Sequence, residues 1–188
     1  MFNVNDFVKA CQGKQPSAIK ELLSEALSDP GSITQALAAF GEGKNVAQGG
    51  MGDLLIHRSP DLTILKAAVP PKFKSPPHNH LMWAVIGVYD GQENNYFYRR
   101  SGNGLEDAGS KQVHQSEVLV LGQDVIHAIE NPLDRPLYAI HVYGGDLPGA
   151  PRRMWNPFTM QEEAFDFQTM RGYAQKMMEQ QHLSLIHI

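Results

Sequence analysis

The stretch that decides the fold is residues 76–89, PPHNHLMWAVIGVY, in which two histidines stand at the start of an apolar run. His78 and His80 are two residues apart, and alternate residues of a β-strand point to the same face, so both imidazoles can reach one point in space. A neutral imidazole is the commonest metal ligand in proteins, and two on one strand fix two coordination directions. The segment therefore predicts a strand that carries two metal ligands.

A third candidate ligand lies in residues 119–131, LVLGQDVIHAIEN. The apolar residues predict a strand that ends at Gly122, turns, and delivers His127 at the start of the next strand. Taken alone, His127 could equally be a buried core histidine, and the first pair could be exposed at a strand edge. Together the three imidazoles form a candidate metal site, which Zn, Fe, Ni and Cu would all suit.

The pattern of apolar residues changes twice along the chain. Residues 1–45 read as helical, with one helix from about Ser17 to Leu27 and a second short helix marked by Ile33, Leu37 and Phe40. From residue 50 to 155, short apolar stretches alternate with turn residues, which is typical of an antiparallel jelly roll or barrel. A C-terminal helix is predicted over residues 158–181, its regular part from about Gln161 to Gln180.

Composition favours one cytoplasmic domain over residues 1–181 of the 188. A net charge of −4 gives no attraction for nucleic acid or an anionic membrane, so neither partner is expected. Cys11 is a lone cysteine, and the first residues lack the pattern of a signal peptide. Residues 182–188, HLSLIHI, differ in character from the polar segment before them and are interpreted as a non-native tail.

Together the histidine segments resemble the paired motifs of the cupin superfamily. The first motif has His-x-His ahead of a strand that ends at a hairpin glycine, here Gly91; the second has Gly122, His127 and Asn131 at matching positions. The resemblance implies a mainly β fold, a double-stranded β-helix (jelly-roll barrel) flanked by N- and C-terminal helices. The chain departs from many cupins in having Ala84 and Val85 where a glutamate ligand would stand.

Without that glutamate, the ligand set is three imidazoles, which resembles the iron site of the thiol dioxygenases. Residues 138–143, YAIHVY, are similar to the Ser-x-His-x-Tyr segment of cysteine and 3-mercaptopropionate dioxygenases. His141 and Tyr143 match, whereas Ala139 replaces the serine, which predicts altered proton handling behind His141. The matching cysteine that crosslinks to the tyrosine in some members is absent.

The resemblance implies Fe(II), although another divalent transition metal is possible, held by His78, His80 and His127. It also implies O2 and a small carboxylate-bearing thiol as substrates, a sulfinate as product, and a catalytic role for His141 and Tyr143. An arginine shortly after the tyrosine would bind the carboxylate. The candidates are Arg152 and Arg153, with Arg99 and Arg100 as competitors because alternation along a strand would send one of that pair inward.

Two alternatives stay open at this point. The protein could be a cupin enzyme of another chemistry, such as an isomerase, a lyase or a carbon–carbon-cleaving dioxygenase, in which His141 joins the metal. It could also be a non-catalytic cupin that binds a ligand. The predicted oligomeric state is a monomer or a homodimer.

Overall fold

The computed structural model describes residues 1–38, 49–102 and 104–186, with side chains described as far as residue 181. Three helices lie at the N-terminus: α1 (Val4–Cys11), α2 (Pro16–Ala26) and α3 (Pro30–Ala38). Pro16 begins α2, because its fixed φ and missing N–H suit the first turn of a helix. The predicted second helix is α3, but Phe40 and the end of the predicted 1–45 segment lie outside the described residues.

Eleven strands are found in the described part of the chain, with a short 3-10 helix, Met51–Leu54, before them. They are β1 (Leu55–Arg58), β2 (Thr63–Val69), β3 (His78–Asn79), β4 (Ala84–Asp90), β5 (Gln92–Ser101), β6 (Gly104–His114), β7 (Val118–Leu121), β8 (Ile126–Glu130), β9 (Leu137–Tyr143), β10 (Arg153–Trp155) and β11 (Glu162–Ala164).

The strands form two antiparallel sheets. One sheet has the order β1-β2-β9-β4-β7, and the other has the order β11-β10-β3-β8-β5-β6. From β2 to β5 and from β6 to β10, consecutive strands alternate between the two sheets, so the sheets wind into a double-stranded β-helix, or jelly roll. The predicted fold class, a mainly β barrel flanked by N- and C-terminal helices, is confirmed.

Strand β4 is covered on both of its faces, which explains its continuous apolar sequence. Ala84, Ile86 and Val88 point into the barrel, whereas Val85 packs with the N-terminal helices on the outside. Gly87 lies under α2, where an added Cβ would stand only 3.1–3.2 Å from leucine side chains of that helix. The N-terminal helices therefore close the outer face of the first sheet.

The C-terminal helix begins later than the sequence predicts. It is α4, Phe167–Ile186, and residues within the predicted 158–181 form β11 instead, paired antiparallel with β10. Asp166 starts the helix, since its carboxylate accepts from the backbone N–H and the hydroxyl of Thr169. Pairing with β10 outweighs the helix propensity of the glutamates in β11. The assignments of residues 1–181 to one domain and of 182–188 to a tail stay predictions.

Asn131, the last residue of the second motif, holds the turn after β8. Its buried side-chain amide donates to the carbonyls of Val69, Pro70 and Arg135 at 2.9–3.0 Å. We expect Asn131→Ala to lower the free energy of unfolding by about 3 kcal/mol, because buried carbonyls lose their donor. Urea denaturation measures this, with Asn94→Ala, at a half-buried position, as control. An equal loss in both variants would contradict the special role of Asn131.

Within the described residues, no helix combines the length and apolar character needed to cross a bilayer.

Candidate metal centre

The three predicted ligands lie together inside the barrel. β3 pairs with β8 so that His78 is directly opposite His127, and His80 follows two residues later on the same face. One ring nitrogen from each histidine lies within 4.8 Å of the others, and the Nε2 atoms of His80 and His127 are 3.4 Å apart. Only 3% of His80 and 1% of His127 is exposed. Neighbouring strands thus assemble three imidazoles whose nitrogens converge.

Hydrogen bonds orient two of these rings. The Nδ1 of His78 is 3.0 Å from the carbonyl oxygen of Pro76, and the Nδ1 of His127 is 2.8 Å from Oδ1 of Asn95. Both partners are carbonyl oxygens, so Nδ1–H donates in each case and the lone pair of Nε2 is left for a metal.

Burial favours the neutral form of all three rings. Desolvation lowers the pKa of His78 to about 4, and it lowers the pKa of His80 and of His127 well below the usual value. Neighbouring positive charges lower the pKa of His80 further. A metal ligand must be a neutral imidazole, so the residues present fit a divalent transition metal.

The donor set of this group contains no carboxylate among the described residues. Ala84 and Val85, at the positions of the missing glutamate, are completely buried in apolar surroundings. The site therefore offers three neutral nitrogen ligands. A metal held by three protein ligands keeps coordination positions open for other molecules.

His141 and Tyr143 lie beside the three histidines on β9. The phenol oxygen of Tyr143 is 3.0 Å from Nδ1 of His141, and the Tyr143 ring meets the ring of His80 edge-on at 4.9 Å between centroids. Burial raises the pKa of Tyr143, which keeps the phenol protonated. His141 is not in the group of convergent nitrogens, since its Nε2 faces the carboxylate of Glu93 at 3.4 Å.

Arg152 reaches the same cavity. It directly precedes β10, which pairs with β3 through Met154 and His78, so alternation along the chain sends Arg152 inward. Its guanidinium lies 3.8 Å from the centroid of the Phe165 ring, and only 6% of the residue is exposed. Burial lowers the pKa of Arg152 to about 10, so it is charged at pH 7. Its Nε has no hydrogen-bond partner among the described residues.

The other three arginine candidates lie outside the cavity, which corrects the sequence prediction. Arg153 and Arg100 both bind the carboxylate of Glu162, and Arg99 binds Glu106. Their side chains are 41–70% exposed.

The position of Arg99 and Arg100 follows from strand lengths. The pairing of β5 with β8 ends at Tyr98, and beyond it β5 pairs only with β6. The end of this hairpin therefore extends beyond β8, where Arg100 packs over the ring of Trp155 and binds Glu162 of β11. Neither arginine side chain enters the cavity, because β5 no longer lines the barrel interior beyond Tyr98.

Sequence reasoning missed two buried polar residues of β5, Glu93 and Asn95, each 0% exposed. They share a strand face with Phe97, which is paired with His127 of β8. Polar residues occupy both faces of this strand in the sequence QENNYFY, so its alternation does not identify the buried face. Only the register against β8 places these two side chains next to the histidines.

The cavity around these groups is small, with a volume of about 80 Å³. Its wall combines polar groups, among them the three convergent histidines, with a larger number of apolar side chains. The polar lining residues are Ser75, His78, His80, His127, His141, Tyr143 and Arg152; the apolar ones include Leu65, Val69, Phe73, Ile129, Phe165, Phe167 and Met170. Such a wall excludes water and fits a ligand of few non-hydrogen atoms.

No protein-family model matches the chain. Solved structures with a similar fold include an uncharacterized conserved protein with a double-stranded β-helix domain from Klebsiella pneumoniae subsp. pneumoniae MGH 78578. It is 13% identical over 53% of this chain and 75% of that one, with a TM-score of 0.44.

Two enzymes are also similar in fold. One is an oxalate oxidase in complex with the substrate analogue glycolate, 22% identical over 47% of this chain and 44% of that one, TM-score 0.40. The other is a variant of oxalate decarboxylase from Bacillus subtilis, 14% identical over 47% of this chain and 22% of that one, TM-score 0.40. The chain spans less than half of either enzyme.

The protein is a double-stranded β-helix (jelly-roll barrel) in which the ring nitrogens of three histidines converge, and these residues fit a divalent transition metal.

Proposed function

We propose that this protein is an Fe(II)-dependent thiol dioxygenase. Its substrate would be a small thiol that carries a carboxylate, of the cysteine or 3-mercaptopropionate type. The product would be the corresponding sulfinate, with both atoms of O2 added to the sulfur. The observation that carries the proposal is the buried guanidinium of Arg152, whose Nε has no hydrogen-bond partner among the described residues, in the same cavity as three neutral imidazoles.

Arg152 supplies the argument for a carboxylate. A buried charge without a partner costs several kcal/mol, whereas a planar guanidinium can bind a carboxylate through two parallel hydrogen bonds. The face of Phe165 covers one side of the guanidinium and holds its plane, so its edge is left for a ligand. An anionic ligand in the cavity would satisfy this group, and the described residues supply no carboxylate to it.

The three histidines supply the argument for a metal that binds the other end of the ligand. His78, His80 and His127 would hold Fe(II), which when bound favours a thiolate over a thiol and supplies the redox chemistry for O2. The imidazoles add no negative charge, so a thiolate is not opposed by a carboxylate ligand. Arg152 would then set the orientation of the ligand. An orientation that is fixed before the reaction removes much of the entropic cost of bringing the reactants together.

The apolar wall restricts what else can enter. Phe73, Ile129 and Met170 leave no room for a large substrate in a cavity of about 80 Å³. They also keep bulk water from the reacting sulfur, which strengthens the electrostatic attraction between ligand and Arg152. We therefore propose that the partners are a small thiol and O2.

The proposal is tested by oxygen consumption of the iron-loaded protein with cysteine, 3-mercaptopropionate, mercaptosuccinate and cysteamine. We expect turnover of at least one carboxylate-bearing thiol, with its sulfinate identified by mass spectrometry, and poor turnover of cysteamine, which has no carboxylate. Absence of sulfinate from every thiol, in protein shown to contain iron, would reject a thiol dioxygenase.

Tyr143→Phe should slow turnover by about 10–100-fold, the usual loss when a hydrogen bond next to a metal site is removed. Its hydroxyl contacts His141 and borders the cavity, but it does not belong to the convergent nitrogens, so metal content should not change. Metal analysis and steady-state kinetics measure both effects. Tyr138→Phe is the control, since Tyr138 stacks on Tyr89 outside the barrel. Loss of metal from Tyr143→Phe would show that the role is wrong.

A further inference from the structure

A chain of buried polar groups runs from one metal ligand to the tyrosine of the cavity. The Oε1 of Glu93 accepts from Nδ2 of Asn95 at 2.9 Å, and Oδ1 of Asn95 accepts from His127. The other oxygen, Oε2, lies 3.4 Å from Nε2 of His141, and neither of these two buried atoms has a hydrogen-bond partner among the described residues; Nδ1 of His141 meets the hydroxyl of Tyr143. Exposure is at most 6% for each of these five residues.

Glu93 determines which of these polar groups donate hydrogen bonds and which accept them. The oxygens of a carboxylate that is ionised only accept hydrogen bonds, so a polar group that faces them is best placed with a hydrogen toward them. Asn95 then turns its NH2 group to Glu93 and its carbonyl to His127, which agrees with a donating Nδ1–H on that ring. The ring of His141 faces Oε2, which has no other partner among the described residues, so the same rule favours the hydrogen of His141 on Nε2. A neutral His141 therefore presents a lone pair at Nδ1, and the hydroxyl of Tyr143 donates to it.

We propose that Glu93 is a positioning residue that fixes the tautomer of His141 and, through it, the direction of the Tyr143 hydroxyl. Because the hydroxyl hydrogen of Tyr143 then points to Nδ1 of His141, the lone pairs of the phenol oxygen face the cavity. Tyr143 then accepts a hydrogen bond from a ligand, such as from the ammonium group of a cysteine-type thiol. That the ligand is a thiol rests on the proposed function; the tautomer does not.

This arrangement changes the interpretation of Ala139. The sequence predicts that loss of the serine at this position removes the hydrogen-bond partner of His141. Ala139 is indeed fully buried and offers no polar side-chain atom. The structure supplies Glu93 of β5 instead, from a strand of the opposite sheet. A carboxylate differs from a hydroxyl because it cannot donate, so one tautomer is selected where a serine would permit two.

Glu93→Gln is a selective test because it keeps the shape of the side chain. A glutamine can still accept from Asn95 through its oxygen, so the support of His127 is preserved. Its NH2 group then faces Nε2 of His141 and donates to it. The hydrogen of His141 moves to Nδ1, where it donates to the phenol oxygen, and the Tyr143 hydroxyl rotates toward the cavity.

The tautomer is measured by long-range ¹⁵N–¹H correlation NMR of the histidine rings in the Zn(II)-loaded protein. The His141 signals are identified by their loss in His141→Gln. We expect the hydrogen on Nε2 in the wild-type protein and on Nδ1 in Glu93→Gln. Glu130→Gln is the control, since Glu130 binds Asn94 and Tyr96 and is not in this chain. It should leave the tautomer unchanged.

A wild-type His141 with its hydrogen on Nδ1 would overturn the inference, and so would an unchanged tautomer in Glu93→Gln. The first outcome is decisive even if Glu93→Gln does not fold. Neither measurement uses a thiol or O2. The inference can therefore fail while the proposed function holds, and it can hold while the protein proves to oxidise no thiol.

Kinetics give a second readout. If Glu93 acts through Tyr143, Glu93→Gln should lower kcat by about 10–100-fold with little change in metal affinity. The double variant with Tyr143→Phe should then be no slower than Tyr143→Phe alone, because the two changes remove one interaction. Fully multiplied losses in the double variant would show that Glu93 acts elsewhere.

Discussion

His127→Ala should lose bound metal and oxygen consumption together. Removing a hydrogen-bond partner of a metal ligand costs about 10–100-fold in affinity, so removing one of three ligands should cost more than about 100-fold. The reason is the small donor set: the described residues offer no carboxylate that could replace the ring. Metal analysis after anaerobic reconstitution with Fe(II), followed by an oxygen-electrode assay, measures both losses.

The matched control for this variant is His114→Ala. His114 is exposed on the edge strand β6; its backbone N–H donates to the carboxylate of Glu117 and its carbonyl accepts from the backbone N–H of Glu117, whereas its ring has no hydrogen bond among the described residues. It should bind metal and turn over normally. Thermal unfolding adds a check on folding, because a metal that binds only the native state raises its stability. Wild-type protein and His114→Ala should gain in melting temperature with Zn(II), and His127→Ala should not. A metal-loaded His127→Ala would reject the three-histidine site.

The barrel and the metal ligands are the features that the sequence predicts best. His78 and His80 lie on one face of a strand because alternate residues of a strand point the same way. Their proximity to His127 is predicted from the resemblance to the paired motifs. Both signals are local, since each motif occupies one short continuous stretch of the chain. Asn131 belongs to the same local motif, but its side chain also binds the carbonyls of Val69 and Pro70, which are distant in sequence.

The features that sequence reasoning missed depend on pairing between distant strands. Glu93 approaches His141 only because β5 and β9 lie in opposite sheets that close on each other. The start of α4 depends likewise on the pairing of β11 with β10, which removes residues from a segment of good helix formers. Arg152 and Arg153 are adjacent and chemically identical, so only their register against β3 decides which one is buried.

Arg152→Ala should raise the apparent KM for a carboxylate-bearing thiol by about 10–150-fold, which corresponds to a charge-assisted hydrogen bond of about 1.5–3 kcal/mol. Metal content should not change, because the guanidinium is not a metal ligand. Arg152→Lys should recover only part of the loss, since an ammonium keeps the charge but not the planar fork. Initial rates over a range of thiol concentrations measure the change, with cysteamine as a substrate that cannot use the fork.

Arg153→Ala is the control that the chain itself provides, because Arg153 is the exposed neighbour already bound to Glu162. It should keep a normal KM. Burial lowers the pKa of Arg152 to about 10, so the fold disfavours the charged form, and that penalty is fully present at pH 7. A carboxylate ligand relieves the penalty, and 3-mercaptopropionate should therefore raise the melting temperature of the Zn(II)-loaded wild-type protein more than that of Arg152→Ala. Equal KM values and equal shifts in melting temperature for the wild-type protein and Arg152→Ala would show that the carboxylate is bound away from Arg152. That result would contradict the proposed acidic substrate.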